Sequence, residues 1–194
     1  MDLRWYDILQ EDGRPSTDYL NPERRKRAAA MRDEADRLRT VAGEVMAREM
    51  LAQRLGCAPA EAPLVYDEDG KPTAPGTGLY VSVSHSGAYV VCAVDNAPIG
   101  VDVETFRDVE DKFMRRVCSE TELAYVLRGG DRERRFWELW TAKEAIFKLT
   151  GHGPLLRLSK LALPDGVTVC YTERFGCAMT VARGELWNEW EDEQ

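Results

Sequence analysis

A chain of 194 residues, 44% of them hydrophobic, can bury one sizeable core or two small ones. Its formal charge of −8 excludes a general nucleic-acid binder, which needs a broad basic surface, so any anion site must be a local concentration of Arg and Lys. No run of about 18 apolar residues is present and Met1-Asp2-Leu3-Arg4-Trp5 starts no signal peptide, so the expectation is a soluble, cytoplasmic protein.

Five cysteines (Cys57, Cys92, Cys118, Cys170, Cys177) are odd in number and lack C-x-x-C spacing. They indicate neither a disulfide framework nor a zinc site, and are expected to be reduced and mostly buried.

Asn21-Pro22-Glu23-Arg24-Arg25-Lys26-Arg27 opens the first predicted helix, with Asn21 as N-cap and Pro22 in the first turn. A second runs from about Ala35, through Arg39-Thr40, to Leu55, and Gly56 ends it. Arg24 and Arg27 are i,i+3 on one helix face, which taken alone is a solvated charged stripe. Asp67-Glu68-Asp69-Gly70-Lys71-Pro72 reads as a turn. Leu79-Tyr80-Val81-Ser82-Val83-Ser84-His85-Ser86-Gly87 follows as a β-rich run ending in a small polar turn, and His85 is one of two histidines in the chain.

Gly100-Val101-Asp102-Val103-Glu104 comes next. On a strand, i and i+2 share a face roughly 6 to 7 Å apart, so Asp102 and Glu104 converge while Val101 and Val103 point into the core. Standing alone, such a pair is as a rule a solvated face. Ser119 followed by Glu122 is a capping box that starts a helix, and we assign it structure rather than chemistry. Gly129-Gly130-Asp131 breaks that helix before another over residues 132–149, which carries Trp140-Thr141-Ala142-Lys143-Glu144-Ala145-Ile146-Phe147-Lys148. Glu144 and Lys148 are i,i+4 on one face, by default a surface ion pair. Trp137 and Trp140 are read as core that positions them. Residues 167–172 and 177–182 alternate as two strands joined by Glu173-Arg174-Phe175-Gly176, and an acidic tail follows Gly184. Three carboxylates, Asp102, Glu104 and Glu144, with Lys148 beside them suit Mg²⁺, which binds through a few carboxylates plus substrate phosphates.

The ordered set S-H-S, I-G-V-D-V-E and W-x-x-K-E-A-x-x-K resembles the 4′-phosphopantetheinyl transferase superfamily, in its long single-chain, surfactin-synthetase-activating branch. The resemblance runs from about Asn21 to Leu156. It implies an α+β fold, a pseudo-dimer of two similar α+β halves with the ligand site between them, here residues 1–98 and 99–194, acting as a monomer. It implies Mg²⁺-dependent transfer of 4′-phosphopantetheine from coenzyme A to a serine of an apo carrier protein of peptide, polyketide or fatty acid synthesis, releasing adenosine 3′,5′-bisphosphate. By that resemblance Asp102, Glu104 and Glu144 hold Mg²⁺, Glu144 or a metal-bound water is the base, and Lys148 meets the pyrophosphate. Arg24, Arg27, Arg39, Thr40, Ser84 and His85 line the phosphates and the far end of coenzyme A, and Lys71 borders the adenine. The basic, partly apolar stretch of residues 107–135 is then expected to dock an acidic carrier helix, the alternative being a simple solvated face. Where relatives often carry Gly-Lys-Gly-Leu, this chain has Gly151-His152-Gly153-Pro154.

Two other classes are open to the same residues. A Mg²⁺-dependent hydrolase or nucleotidyl-type enzyme could use the three carboxylates, though nothing in the sequence separately positions a water. A coenzyme A- or carrier-binding module without turnover is the non-catalytic alternative, and intact Asp102, Glu104, Glu144 and Lys148 argue against it.

Overall fold

The computed structural model describes residues 1–10, 15–68, 70–151 and 165–184. The departure at His152-Gly153-Pro154 and the acidic tail beyond Gly184 lie outside the described residues.

The first half starts with strand β1 (Asp2–Asp7), helix α1 (Pro22–Ala30) and helix α2 (Glu34–Leu55). A short hairpin, β2 (Val65–Tyr66) and β3 (Pro72–Thr73), leads to strands β4 (Tyr80–Ser86) and β5 (Tyr89–Asp95). Asn21 caps α1, its Oδ1 accepting from Arg24 N at 2.8 Å, and Asp33 caps α2 in the same way. Gly56 ends α2 at φ 69°, a left-handed conformation that glycine adopts without a Cβ clash. Met46, Met50 and Leu51 of α2 are buried against Val90, Cys92 and Val94 of β5. Each valine so enclosed contributes about 1.5 kcal/mol or more relative to exposure.

The second half contains β6 (Ile99–Thr105), α3 (Asp111–Val117), α4 (Glu120–Leu127), α5 (Arg132–Thr150), β7 (Val167–Arg174) and β8 (Cys177–Gly184). Ser119 and Glu122 form the expected capping box at α4. Strand β7 continues two residues past its expected end because the β7–β8 turn is only Phe175-Gly176, with φ of 55° and 73°. Phe175 tolerates that backbone while its ring stacks on Tyr89 at 5.4 Å.

The two halves repeat one design. The strand order is β1-β5-β4 in the first sheet and β6-β8-β7 in the second, all antiparallel, with the long helix between the first and second strands of each. Val91 and Ala93 of one sheet pack against Val101, Val103, Met179 and Val181 of the other, so the core lies between them. Strands β4 and β6 are the neighbours that join the halves, and this is where the motifs meet. Among the described residues no helix is long and apolar enough to cross a membrane. The five cysteines are free; Cys92, Cys118 and Cys177 are buried and Cys170 is exposed.

Candidate active site

Strand β4 presents Ser82, Ser84 and Ser86 to β6, and their hydroxyls accept from the backbone N–H groups of Val101, Val103 and Thr105 at 3.0, 3.3 and 3.1 Å. Side-chain oxygens thus take the place of a backbone ladder along this seam, satisfying donors that would otherwise be buried and unpaired. Two of the hydroxyls then donate onward, Ser84 to Asp102 Oδ1 at 2.8 Å and Ser86 to Glu104 Oε2 at 2.6 Å. The first half of the chain therefore orients the carboxylates of the second.

Helix α5 seats directly on the other face of β6. Gly100 permits it: a Cβ there would lie 1.9 Å from Ala145 O and 2.6 Å from Leu149 N. This approach brings Lys148 Nζ to 2.7 Å from Asp102 Oδ1 and 3.1 Å from Val101 O. Asp102 is 5% exposed, yet its Oδ2 is buried without a partner among the described residues, and so is Glu144 Oε1. Burial, then the charge of Asp102, pushes the Glu144 carboxyl up to about 7 against the pull of Lys148. Asp102 is also raised, by burial first, with Lys148 and Ser84 opposing.

Glu104 faces differently. Its Oε2 accepts from Arg107 NH1 at 2.9 Å as well as from Ser86. Among the described residues no group of three or more His, Cys, Asp or Glu side chains is arranged to hold a metal ion, so the expected trio is not gathered into one cluster. The fit to a hard divalent cation rests on the donor chemistry: all three groups are carboxylates, and two offer buried oxygens with no partner.

The residues expected at the phosphates form two groups. Arg39, near the start of α2, donates to Gly87 O at 2.6 Å and to Asp36. His85, exposed at the end of β4, is held below its ordinary value by desolvation, then by the positive charges of Arg39 and Lys148. Thr40 donates to Met31 Sδ at 3.5 Å. Arg24 belongs to a separate network, its Nε 3.0 Å from Glu44 Oε2 and its guanidinium 3.9 Å above the Tyr66 ring. Glu44 is fully buried and also accepts from Arg48 Nε at 3.0 Å. Arg27 is exposed on the same helix, outside that network. Lys71 crosses between the halves to Leu149 O at 3.3 Å, and burial lowers its ammonium below the ordinary value. It borders a cleft of about 490 Å³, lined also by Pro72, Leu79, Tyr80, Ile99 and Gly151.

Several contributors escape the sequence reading. Ser82 and Ser86 were available as an S-x-S-x-S alternation, a polar face on a strand whose other residues, His85 apart, are valines and a tyrosine. Glu44 and Arg48 are i,i+4 but lie in a helix that buries them, which periodicity alone does not reveal. Lys143 does not reach the site; it is buried and pairs with Glu122 at 2.7 Å, fastening α4 to α5.

The repeat of the fold contains a counterpart to this site. Cys92 and Thr180 hold matching places in the two hairpins, and their partners are Arg4 and Asp102. Glu49 and Gln53 precede the capping Gly56 by the same intervals as Glu144 and Lys148 precede Gly151. Arg4, in the place of Asp102, meets Glu49 at 2.9 Å and Gln53 at 3.4 Å, so the strand carries the opposite charge and the helix keeps its acid but has a neutral residue in the place of Lys148.

Two family models tile the chain. The model described as 4′-phosphopantetheinyl transferase, N-terminal, matches residues 8–97, and that of the 4′-phosphopantetheinyl transferase superfamily matches residues 98–178. The 4′-phosphopantetheinyl transferase psf-1 of Bacillus pumilus is 30% identical over 172 residues, covering 81% of this chain and 74% of that protein. The chain belongs to the 4′-phosphopantetheinyl transferase superfamily. The 4′-phosphopantetheinyl transferase Sfp of Bacillus subtilis (strain 168) is 28% identical over 183 residues, 87% of this chain and 82% of that one. These matches, running through both halves, put it on the long single-chain branch of the 4′-phosphopantetheinyl transferases, as the S-H-S, D-V-E and K-E-A-x-x-K motifs imply.

Proposed function

We propose that this enzyme transfers 4′-phosphopantetheine from coenzyme A to a serine hydroxyl of an apo carrier protein, releasing adenosine 3′,5′-bisphosphate. The observation that carries this reading is the seam itself. Asp102 and Glu144 each aim a buried, unpartnered oxygen beside Lys148, in a chain whose two halves both match phosphopantetheinyl transferases.

Phosphoryl transfer asks for positioning and charge stabilisation more than covalent chemistry. Lys148 supplies an ammonium to pyrophosphate oxygens, and Ser84 holds Asp102 so that one of its oxygens stays open. Asp102, Glu104 and Glu144 would hold Mg²⁺, which would supply positive charge against the phosphates. Glu144, its carboxyl raised to about 7 in the metal-free protein, is the base assigned to the proton of the attacking serine. Arg24, Arg27, Arg39 and His85 receive the phosphates at the remote end of coenzyme A, with Thr40 and Lys71 flanking them. Phe113, Tyr125 and Leu127 are exposed among Lys112, Arg115, Arg116 and Arg128, which supports docking of an acidic, partly apolar carrier helix on residues 107–135.

The test is product formation. Coenzyme A incubated with the protein, Mg²⁺ and an apo carrier should yield adenosine 3′,5′-bisphosphate, separable by chromatography, and none when the carrier's serine is replaced by alanine. Bisphosphate formed equally without a carrier would make the enzyme a hydrolase instead.

A further inference from the structure

Asp102 pairs with Lys148, and Glu104 has a cation of its own in Arg107. Arg107 NH1 lies 2.9 Å from Glu104 Oε2, and the same nitrogen reaches Thr105 O at 3.2 Å. Arg107 is itself gripped twice by one core residue. Its guanidinium stacks 4.1 Å above the Trp137 ring, and Trp137 Nε1 donates to Arg107 O at 2.9 Å. Trp137 is 3% exposed, so the arginine is anchored to the rigid body of α5 rather than drifting on a loop. Surface pairs at i,i+3 usually hold two flexible chains weakly; here one partner is pre-organised and the other is fixed by Ser86.

Asp102 Oδ2 and Glu144 Oε1 stand open while Glu104 is occupied. Among the described residues the three carboxylates are not gathered around one point, so a cation at the first two gains Glu104 as a third ligand only if that side chain turns, which breaks its Oε2 contacts to Arg107 and Ser86. Resting on the carboxylate-metal reading above, we propose that Arg107 is a resident counter-ion for Glu104 and exchanges it for the divalent cation. In the free protein Arg107 offsets part of the repulsion within the acidic group; on metal binding the carboxylate turns inward and the guanidinium is released.

The experiment titrates Mg²⁺ calorimetrically into the native protein and into Arg107→Gln and Arg107→Ala, each with and without coenzyme A, and follows tryptophan fluorescence in parallel. Glutamine keeps a planar group over Trp137, so loss of stacking is separated from loss of charge. The proposal expects both variants to bind Mg²⁺ roughly three- to tenfold more tightly than the native protein. It also expects a Mg²⁺-induced fluorescence change in the native protein that is much reduced in both variants. Unchanged or weaker Mg²⁺ affinity in both variants overturns the exchange while leaving the metal reading intact. Absence of Mg²⁺ binding by the native protein under either condition overturns both.

Discussion

Lys148 on α5 and Asp102 on β6 form an ion pair, Nζ to Oδ1 2.7 Å, that leaves the second Asp102 oxygen buried and open. The pair exists because Gly100 lets the helix backbone rest on the strand. Gly100→Ala would drive a methyl group into Ala145 O and Leu149 N, and neither is a side chain that can move aside. We expect a loss of about 3 kcal/mol or more, the upper range for overpacking, together with loss of activity. Thermal unfolding and turnover measured together check this; a variant as stable and active as the native protein would refute the close approach.

Glu144 sets the pH dependence. Burial and Asp102 raise its carboxyl to about 7 in the metal-free protein, so the basic form accumulates as pH rises through that value and kcat should rise with it, the limb lying at lower pH once Mg²⁺ is bound. The sign for stability is opposite: a carboxyl raised in the folded state makes folding less favourable as pH climbs from its ordinary value of 4.5 toward 7. Lys148 lowers Glu144, so Lys148→Met should move the acidic limb of the rate profile to higher pH. A limb that stays in place, or that survives in Glu144→Gln, assigns the titration to another group.

Asp95 ties the halves together elsewhere. Its carboxylate accepts from Arg183 Nε at 2.6 Å and from the N–H groups of Asn96 and Ala97 at 2.7 and 3.2 Å. The Arg183 hydrogen bond above all holds it far below the ordinary 3.8. Its contribution is therefore present above that ordinary value and is lost as pH falls below it. Asp95→Asn should lower stability by about 1–2 kcal/mol at pH 7, with the difference from native shrinking toward pH 2. Denaturant titrations at both pH values measure it, and a difference that does not depend on pH would exclude a charge effect.

Arg24 and Arg27 test the remote end of coenzyme A. A 3′-phosphate away from the reacting bond contributes to ground-state binding, so dephospho-coenzyme A should bind the native protein roughly ten- to hundredfold more weakly than coenzyme A. Arg24→Ala with Arg27→Ala should narrow that ratio, and general damage to the fold largely cancels in it. An unchanged ratio would mean that Arg24 serves only Glu44 and Tyr66, and Arg27 only the solvent.

Much of this was legible before any coordinates. The caps at Asn21, Gly56 and Ser119 and the strand carrying Asp102 and Glu104 follow from local rules that tertiary packing did not override. The repeat was expected only from the family resemblance and was not legible in the residues themselves, because strand order leaves no mark on residue identity: Arg4 occupies the place of Asp102, and Gln53 that of Lys148. Nor was the distance between the two arginine groups, since Arg24 reaches inward to a buried Glu44 and Arg39 toward Gly87. Ser86 and Arg107 were missed because their importance lies in contacts across the seam, and a sequence displays only neighbours along the chain.

The most direct measurement of the central claim is the intact mass of an apo carrier protein after incubation with coenzyme A, Mg²⁺ and this enzyme, run beside Asp102→Ala and beside a chelator. The account predicts that the native enzyme adds one phosphopantetheine mass to the carrier. Asp102→Ala, folded as judged by circular dichroism, adds none, and the chelator blocks the native reaction until Mg²⁺ is restored. A carrier left unmodified by the native enzyme, or modified at full rate by Asp102→Ala or in the presence of chelator, would contradict it.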